Sequence, residues 1–226
     1  MSLSYLQAMD IIGGSVSKPS KMPWFGWSTS AEDCITGSKL RQIAGSVCSN
    51  CYACKGNYCF SNVKQSHKKR LSSLSNPMFE SAMIKVMSEL YTRSKKTYIK
   101  DGVETKENRW RWHDSGDIQS LEHLEMLNRI ALSLPHIDYW LPTKEAAIVS
   151  RYLKKHAEGF APNFTVRLSH PMIGESFNKT SASIGLSTVG VKDAPINCNA
   201  PQQGNKCLDC RLCWDKTVKS VNYPKH

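Results

Sequence analysis

At 226 residues, with 40% hydrophobic and 22% charged residues, the chain is long enough to bury a sizeable core, and its composition excludes wholesale disorder. The opening MSLSYLQAMDIIGGS has neither a basic leader nor a long apolar stretch, and no window nears the roughly 18 apolar residues of a membrane span, so the expectation is a cytoplasmic protein without a secretory signal or membrane anchor. A formal net charge of +11 leaves anionic partners open: nucleic acid, an anionic cofactor or an acidic electron donor or acceptor.

In chain order, residues 1–33 read as loop, punctuated by Gly13-Gly14, Pro19 and Pro23. The first cysteine region runs from Cys34 to Cys59. The one dense basic run, Lys64–Arg70 (KQSHKKR), is expected on a helix with its charges in solvent. Asn76-Pro77 reads as the cap and first residue of the next helix, with Phe79, Met83, Val86, Met87 and Leu90 on one face.

Residues 109–114 (RWRWHD) then read as a strand and 120–134 as a helix with Leu121, Leu124, Leu127 and Ile130 inward. A strand over 137–141, a helix over 144–156 stopped near Gly159, and strands over 164–168 and 183–186 complete the alternation. Such alternation predicts an α/β fold with a mostly parallel sheet, an incomplete (β/α) barrel being one form of it. No linker divides the chain, so residues 1–226 read as one domain with cysteine-rich segments 34–59 and 195–226 packed on it. Trp110, Trp112 and Trp140 are expected in the core, and His123 and His226 at the surface.

The nine cysteines carry the chemistry. An odd count without a secretory signal argues for metal or redox use over a disulfide framework. They gather at the two ends, and Cys48-Cys51-Cys54 and Cys207-Cys210-Cys213 are both C-x₂-C-x₂-C. Three thiolates on successive short turns can each reach a different iron of a 4Fe–4S cluster, whereas zinc more often takes two ligands from each of two knuckles. Zinc, or thiols with no metal, stay open as alternatives. Cys198 supplies a fourth ligand to the second run; the first has two candidate extras, Cys34 and Cys59.

Polar and ionisable residues follow the strands: His113-Asp114-Ser115-Gly116-Asp117, Thr143-Lys144, Arg167-Leu168-Ser169-His170 and Ser187-Thr188. Loops at the C-terminal edge of a parallel sheet face one another, so a shared cleft is expected there. His113, Asp114, Asp117, Lys144 and Arg167 would line its substrate side, and Ser115, Gly116 and Ser169 would touch a cofactor. The plainer reading of any one of them is a helix cap, as for Asp117 or Ser120. No Walker A loop, G-x-G-x-x-G or H-E-x-x-H is present, which leaves nucleotide hydrolase and zincin readings without support.

The strings GSVCSNCYACKGNY, RWRWHDSGD, YWLPTKE, TVRLS and CNAPQQGNKCLDCRLCWD resemble the gene-product-88 family of bacteriophage proteins over nearly the whole chain. The resemblance implies a viral protein acting in a bacterial host cytoplasm. It also implies metal ligation by Cys34, Cys48 and Cys51 at the front and by Cys198, Cys207, Cys210 and Cys213 at the back, with Cys54 and Cys59 outside the pattern. The C-x₂-C-Y-A element with a cysteine upstream also looks like phage proteins classed with radical S-adenosylmethionine enzymes, although C-x₃-C-x₂-C is absent. The expectation is an iron–sulfur protein with redox or radical chemistry, S-adenosylmethionine being the cofactor that the likeness implies. The alternative is a metal-stabilised nucleic-acid-binding or host-interaction protein.

Overall fold

The structure is a computed structural model that describes residues 3–178 and 184–225. The first segment is not the expected loop. Ser4 and Gln7 form a capping box, Ser4 Oγ accepting from Gln7 N at 3.3 Å and Gln7 Oε1 from Ser4 N at 3.0 Å, and start helix α1 (Tyr5–Ile11). Its Ala8 and its C-cap Ile12 enter the core with α4 (Phe79–Arg93). Between them lie β1 (Gly26–Trp27), α2 (Ile35–Leu40) and α3 (Ser61–Ser73).

Helix α3 carries the basic run, and its charges are not all solvated. Lys64 and Lys69 pair with Glu32 and Asp10 at 2.7 and 3.0 Å. Arg70 turns inward to Ser15 Oγ, Ser17 Oγ and the carbonyl of Ser28. Helix α4 begins two residues later than expected, Asn76 Oδ1 accepting from Met78 N at 2.9 Å. Its Phe79, Met83, Val86 and Met87 are buried as the spacing requires.

An antiparallel hairpin, β2 (Thr97–Lys100) and β3 (Val103–Lys106), was not foreseen. The alternation that follows was: β4 (Arg109–Trp112), α5 (Leu121–Ser133), β5 (Asp138–Thr143), α6 (Ala146–Lys155), β6 (Phe164–Ser169) and β7 (Gly185–Val189). The last strand was expected from Ser183, which lies outside the described residues. A further strand, β8 (Ser220–Tyr223), closes the order β1-β4-β5-β6-β7-β8. Every pairing in this sheet is parallel, and it stays open, with β1 and β8 as its edges.

Strand alternation gives the sheet two different faces. Trp110, Trp112, Tyr139, Leu141, Phe164 and Val166 meet the helices and are at most 3% exposed. Each such side chain contributes on the order of 1.5–3 kcal/mol by burial. The other face carries Arg109, Arg111, Trp140, Thr165 and Arg167. Trp140 therefore belongs to a separate small cluster with Met22, Cys213 and Trp214. A parallel β7–β8 pair needs a crossover. Here the crossover is the second cysteine segment, which runs across this face, Thr165 Oγ1 donating to the Trp214 carbonyl and Trp214 Nε1 to that of Trp110.

Candidate functional site

The first cysteine region folds over the C-terminal edge of the sheet and is held there by three anchors. The Glu145 carboxylate accepts from Thr36 N at 2.8 Å and Thr36 Oγ1 at 2.7 Å, fixing the start of α2 just after Cys34. Asp114 receives hydrogen bonds from Ser28 Oγ and, at 2.8 Å, from the Tyr58 hydroxyl, while its carbonyl accepts from the Tyr52 hydroxyl. Residues 45–47 lie along 171–173, Val47 N donating to Pro171 O at 2.8 Å and Ile173 N to Gly45 O at 3.0 Å.

Beneath this cover is a cavity of about 610 Å³. Cys34, Cys48 and Cys51 line it, and so do Cys198, Cys207 and Cys213 of the rear segment. Cys54 and Cys59 are not among the described residues of its lining; the Cys59 thiol donates to the Cys54 carbonyl at 3.2 Å. All four rear cysteines also enclose a smaller adjoining space of about 20 Å³.

As placed, no three His, Cys, Asp or Glu side chains among the described residues converge closely enough to hold a metal ion. The front donor set nonetheless has room for one. A Cβ at Gly37 would lie 3.6 Å from Cys34 Sγ and 3.7 Å from Cys48 Sγ, so the bare glycine keeps the space beside both sulfurs clear. Burial pushes both thiols up, Asp117 adding to the effect at Cys34 and Lys144 opposing it at Cys48. They are protonated without a cation, and a soft metal would displace those protons.

The strand-end residues divide. Asp114, Ser115, Gly116, Asp117, Lys144 and Ser169 all reach the cavity. Asp117 also joins two loops, accepting from Ile118 N and Thr143 Oγ1 at 2.8 and 2.6 Å and from Lys144 N at 2.9 Å. Burial raises it to about 6 even so. Lys144 Nζ lies 3.3 Å from the His170 carbonyl, and burial lowers its pKa. Ser169 and Ser187 share a hydrogen bond at 2.9 Å. At Gly116, φ is +79° and an added Cβ would meet Thr29 Oγ1 at 2.0 Å, so the turn requires glycine.

His113 lines the cavity as well; Arg167 does not. The His113 ring packs edge-to-face on Trp27 and His123, and burial pushes it down to about 3, so it is neutral. His123 itself is buried, not at the surface, while His226 lies outside the described residues. Arg167 is fully buried in mid-strand, away from the cavity. It donates to the carbonyls of Cys213, Leu212, Asp215, Val218 and Leu186 and so clamps the rear cysteine loop.

Four contributors were not singled out from sequence: Glu145, Tyr52, Tyr58 and Arg111. The signal for Glu145 lay in YWLPTKE, at the end of a strand. Tyr52 sits between two cysteines in CYAC, where a hydroxyl is well placed to tether the ligand loop.

The profile of the family described as gene product 88 matches residues 15–216, a span that takes in every cysteine. The chain belongs to that family. No curated protein and no solved structure matches it. Within this phage gene-product family, the present chain has Cys34, Cys48 and Cys51 of the front and Cys198, Cys207 and Cys213 of the rear lining one cavity at the strand ends. No described helix is long and apolar enough to cross a membrane.

Proposed function

We propose that this chain is an iron–sulfur protein in which Cys34, Cys48 and Cys51 hold a 4Fe–4S cluster at the cavity and the four rear cysteines hold a second metal centre. The observation that carries the reading is the lining itself: Cys34, Cys48 and Cys51 open on the cavity, and Cys54 and Cys59 do not. Three protein thiolates would leave one iron available to a small molecule, S-adenosylmethionine being the one implied by the separate likeness of the C-x₂-C-Y-A element to radical S-adenosylmethionine enzymes. When bound, such a cluster supplies single electrons for redox or radical chemistry.

The chain's own groups would shape that chemistry. Lys144 would place a half-buried ammonium near Cys48, offsetting the negative charge of the ligands. Asp114 and Glu145 hold the ligand loops against the sheet. The rear space of about 20 Å³ lies among all four rear cysteines, which would have to draw together to hold one zinc ion and to spread to hold a second cluster. The net charge of +11 suits an acidic electron donor or acceptor.

The test is anaerobic purification with iron, sulfide and zinc analysis and a visible absorption spectrum. The expected result is a brown protein whose colour is lost in Cys51→Ala and kept in Cys59→Ala. A protein without iron or sulfide after anaerobic reconstitution would sink the reading. Loss of colour in Cys59→Ala with Cys34→Ala silent would move the cluster to the contiguous front run.

A further inference from the structure

Three arginines stand on the sheet face opposite the helices. Two are saturated. Arg109 is paired with Glu107 at 2.6 Å and donates to the Cys210 and Leu208 carbonyls at 2.7 and 2.9 Å. Arg167 has its five carbonyls. Arg111, also on β4, is different.

Its guanidinium lies over the Trp140 ring, 4.6 Å from the centroid. Nη2 is 3.4 Å from the Tyr52 hydroxyl and Nη1 is 3.8 Å from Met22 Sδ, both long contacts. Its Nε is buried with no partner. No described carboxylate stands within ion-pair distance of it; Asp114, which acts on it only through its field, is engaged by Ser28 and Tyr58. A guanidinium offers five donors in a rigid fork; here Nε is buried without a partner while Nη2 is open to solvent on the cavity side, so part of the fork is available to a ligand.

The side chain opens on the large cavity, whose lining also holds the carboxylates of Asp114 and Asp117, each engaged by donors of the protein itself. Lys21, Lys144 and Lys225 line the same space, and the lining Ser115 has a buried hydroxyl without a partner. Stacking on Trp140 sets the plane of the fork in advance, so little freedom is lost on binding.

We infer that the cavity takes a small molecule bearing an oxyanion, carboxylate or phosphate, and that Arg111 grips it in a two-point contact while stacked on Trp140. This names the substrate class of the proposed cavity and rests on that reading only in taking the cavity as the ligand site.

The experiment titrates the anaerobically purified full chain with malonate and, separately, with inorganic phosphate by calorimetry. Iron and sulfide are measured on the same preparations. Saturable binding of at least one probe is expected, weakened tenfold or more in Arg111→Gln. Arg111→Lys should recover only part of it, because a point charge lacks the fork. Lys100→Gln on the exposed hairpin should bind as the wild type does. A response to malonate alone assigns a carboxylate, and a response to phosphate alone a phosphoryl group. Wild-type protein that binds neither, or an Arg111→Lys protein that binds as tightly as wild type, overturns the inference. Should Arg111→Gln fail to fold, the wild-type and lysine titrations decide. Binding in protein that holds no iron would overturn the cluster and leave the oxyanion site standing.

Discussion

The two cysteine runs share one spacing and open on one cavity, but they are attached to the fold in different ways. The front run sits in three short 3₁₀ turns, Val47–Asn50, Tyr52–Cys54 and Gly56–Cys59, laid over the sheet edge. Side chains tether it there, chiefly Glu145 and Asp114. The rear run lies flat on the sheet, and two buried guanidiniums bind its carbonyls directly. Its Cys213 is buried, hydrogen bonded to the Tyr223 hydroxyl at 3.1 Å, with a thiol pushed up to about 12. Equal spacing therefore does not mean equal coupling to stability. The rear run reaches the core through Cys213 and is held by its carbonyls, whereas the front run is a cover tethered by side chains.

The sharpest way to break this contrast is Arg167→Met. It would leave five carbonyls without their donor, each costing on the order of 1–3 kcal/mol when buried, so a loss of at least about 3 kcal/mol is expected in urea unfolding. A change under about 1 kcal/mol would show that the rear loop is not clamped.

Next in size is a matched pair of ligand changes. Cys210→Ala should lower the melting temperature clearly more than Cys51→Ala, because ligation at the rear is coupled to folding of the sheet face. Equal shifts by differential scanning calorimetry would erase the distinction between the two runs.

The pH dependence probes the sheet edge under the cover. His113 falls to about 3 and His123 well below its ordinary value, both through burial. Their folded pKa values are below the unfolded value near 6.5. The stabilisation is therefore complete above about pH 6.5 and declines as the pH falls toward 3, because the unfolded chain takes up protons first. The slope should approach about 1.4 kcal/mol per pH unit for each histidine. His123→Phe should flatten it in a pH series of denaturant titrations; an unchanged slope would mean that the ring is charged in the fold.

Glu145→Gln keeps the shape and weakens two charge-assisted hydrogen bonds to Thr36, so about 1 kcal/mol is expected. The larger effect should be faster loss of metal to a chelator, since Cys34 is then poorly held. An unaltered chelation rate would show that the anchor does not serve the ligand loop.

The smallest stability change and the most selective one is Gly37→Ala. The glycine is in α2 at an ordinary φ, and alanine there favours the helix by about 1 kcal/mol. The new methyl would press Cys34 Cβ at 2.9 Å and fill the space beside two sulfurs. Iron content should drop sharply while the melt changes little, the helix gain being offset by the shift that the contact with Cys34 forces. Full iron occupancy would mean that no metal uses that space.

Much of the fold could be read from periodicity. Helices α5 and α6 and strands β5 and β6 follow apolar spacings that survive folding because each buries one face. Other elements left weaker traces. Helix α1 is short and precedes a Gly-Gly pair, yet Ser4 and Gln7 mark its start. The hairpin carries an Asp101-Gly102 turn with both residues at positive φ, a local signal that the flanking lysines obscured. Arg167 was misplaced for a definite reason. It is followed by polar residues as a strand end is, but β6 continues to Ser169 and the pleat sends its side chain to the sheet face instead of the edge.

The two thiol sets, their internal spacing, the parallel α/β alternation and the charge that any partner must meet are all legible in the order of residues. Those depend on neighbours within a few residues, where covalent geometry limits reach. Long-range packing is what brings Cys34, Cys48 and Cys51 to the space shared with Cys198, Cys207 and Cys213, and what ties Arg109 and Arg167 to carbonyls while leaving Arg111 without them. The two cysteine groups are separated along the chain by most of the sheet. Their meeting depends on which strand edges and faces the crossovers cover, and burial and hydrogen-bond satisfaction settle that across the whole fold.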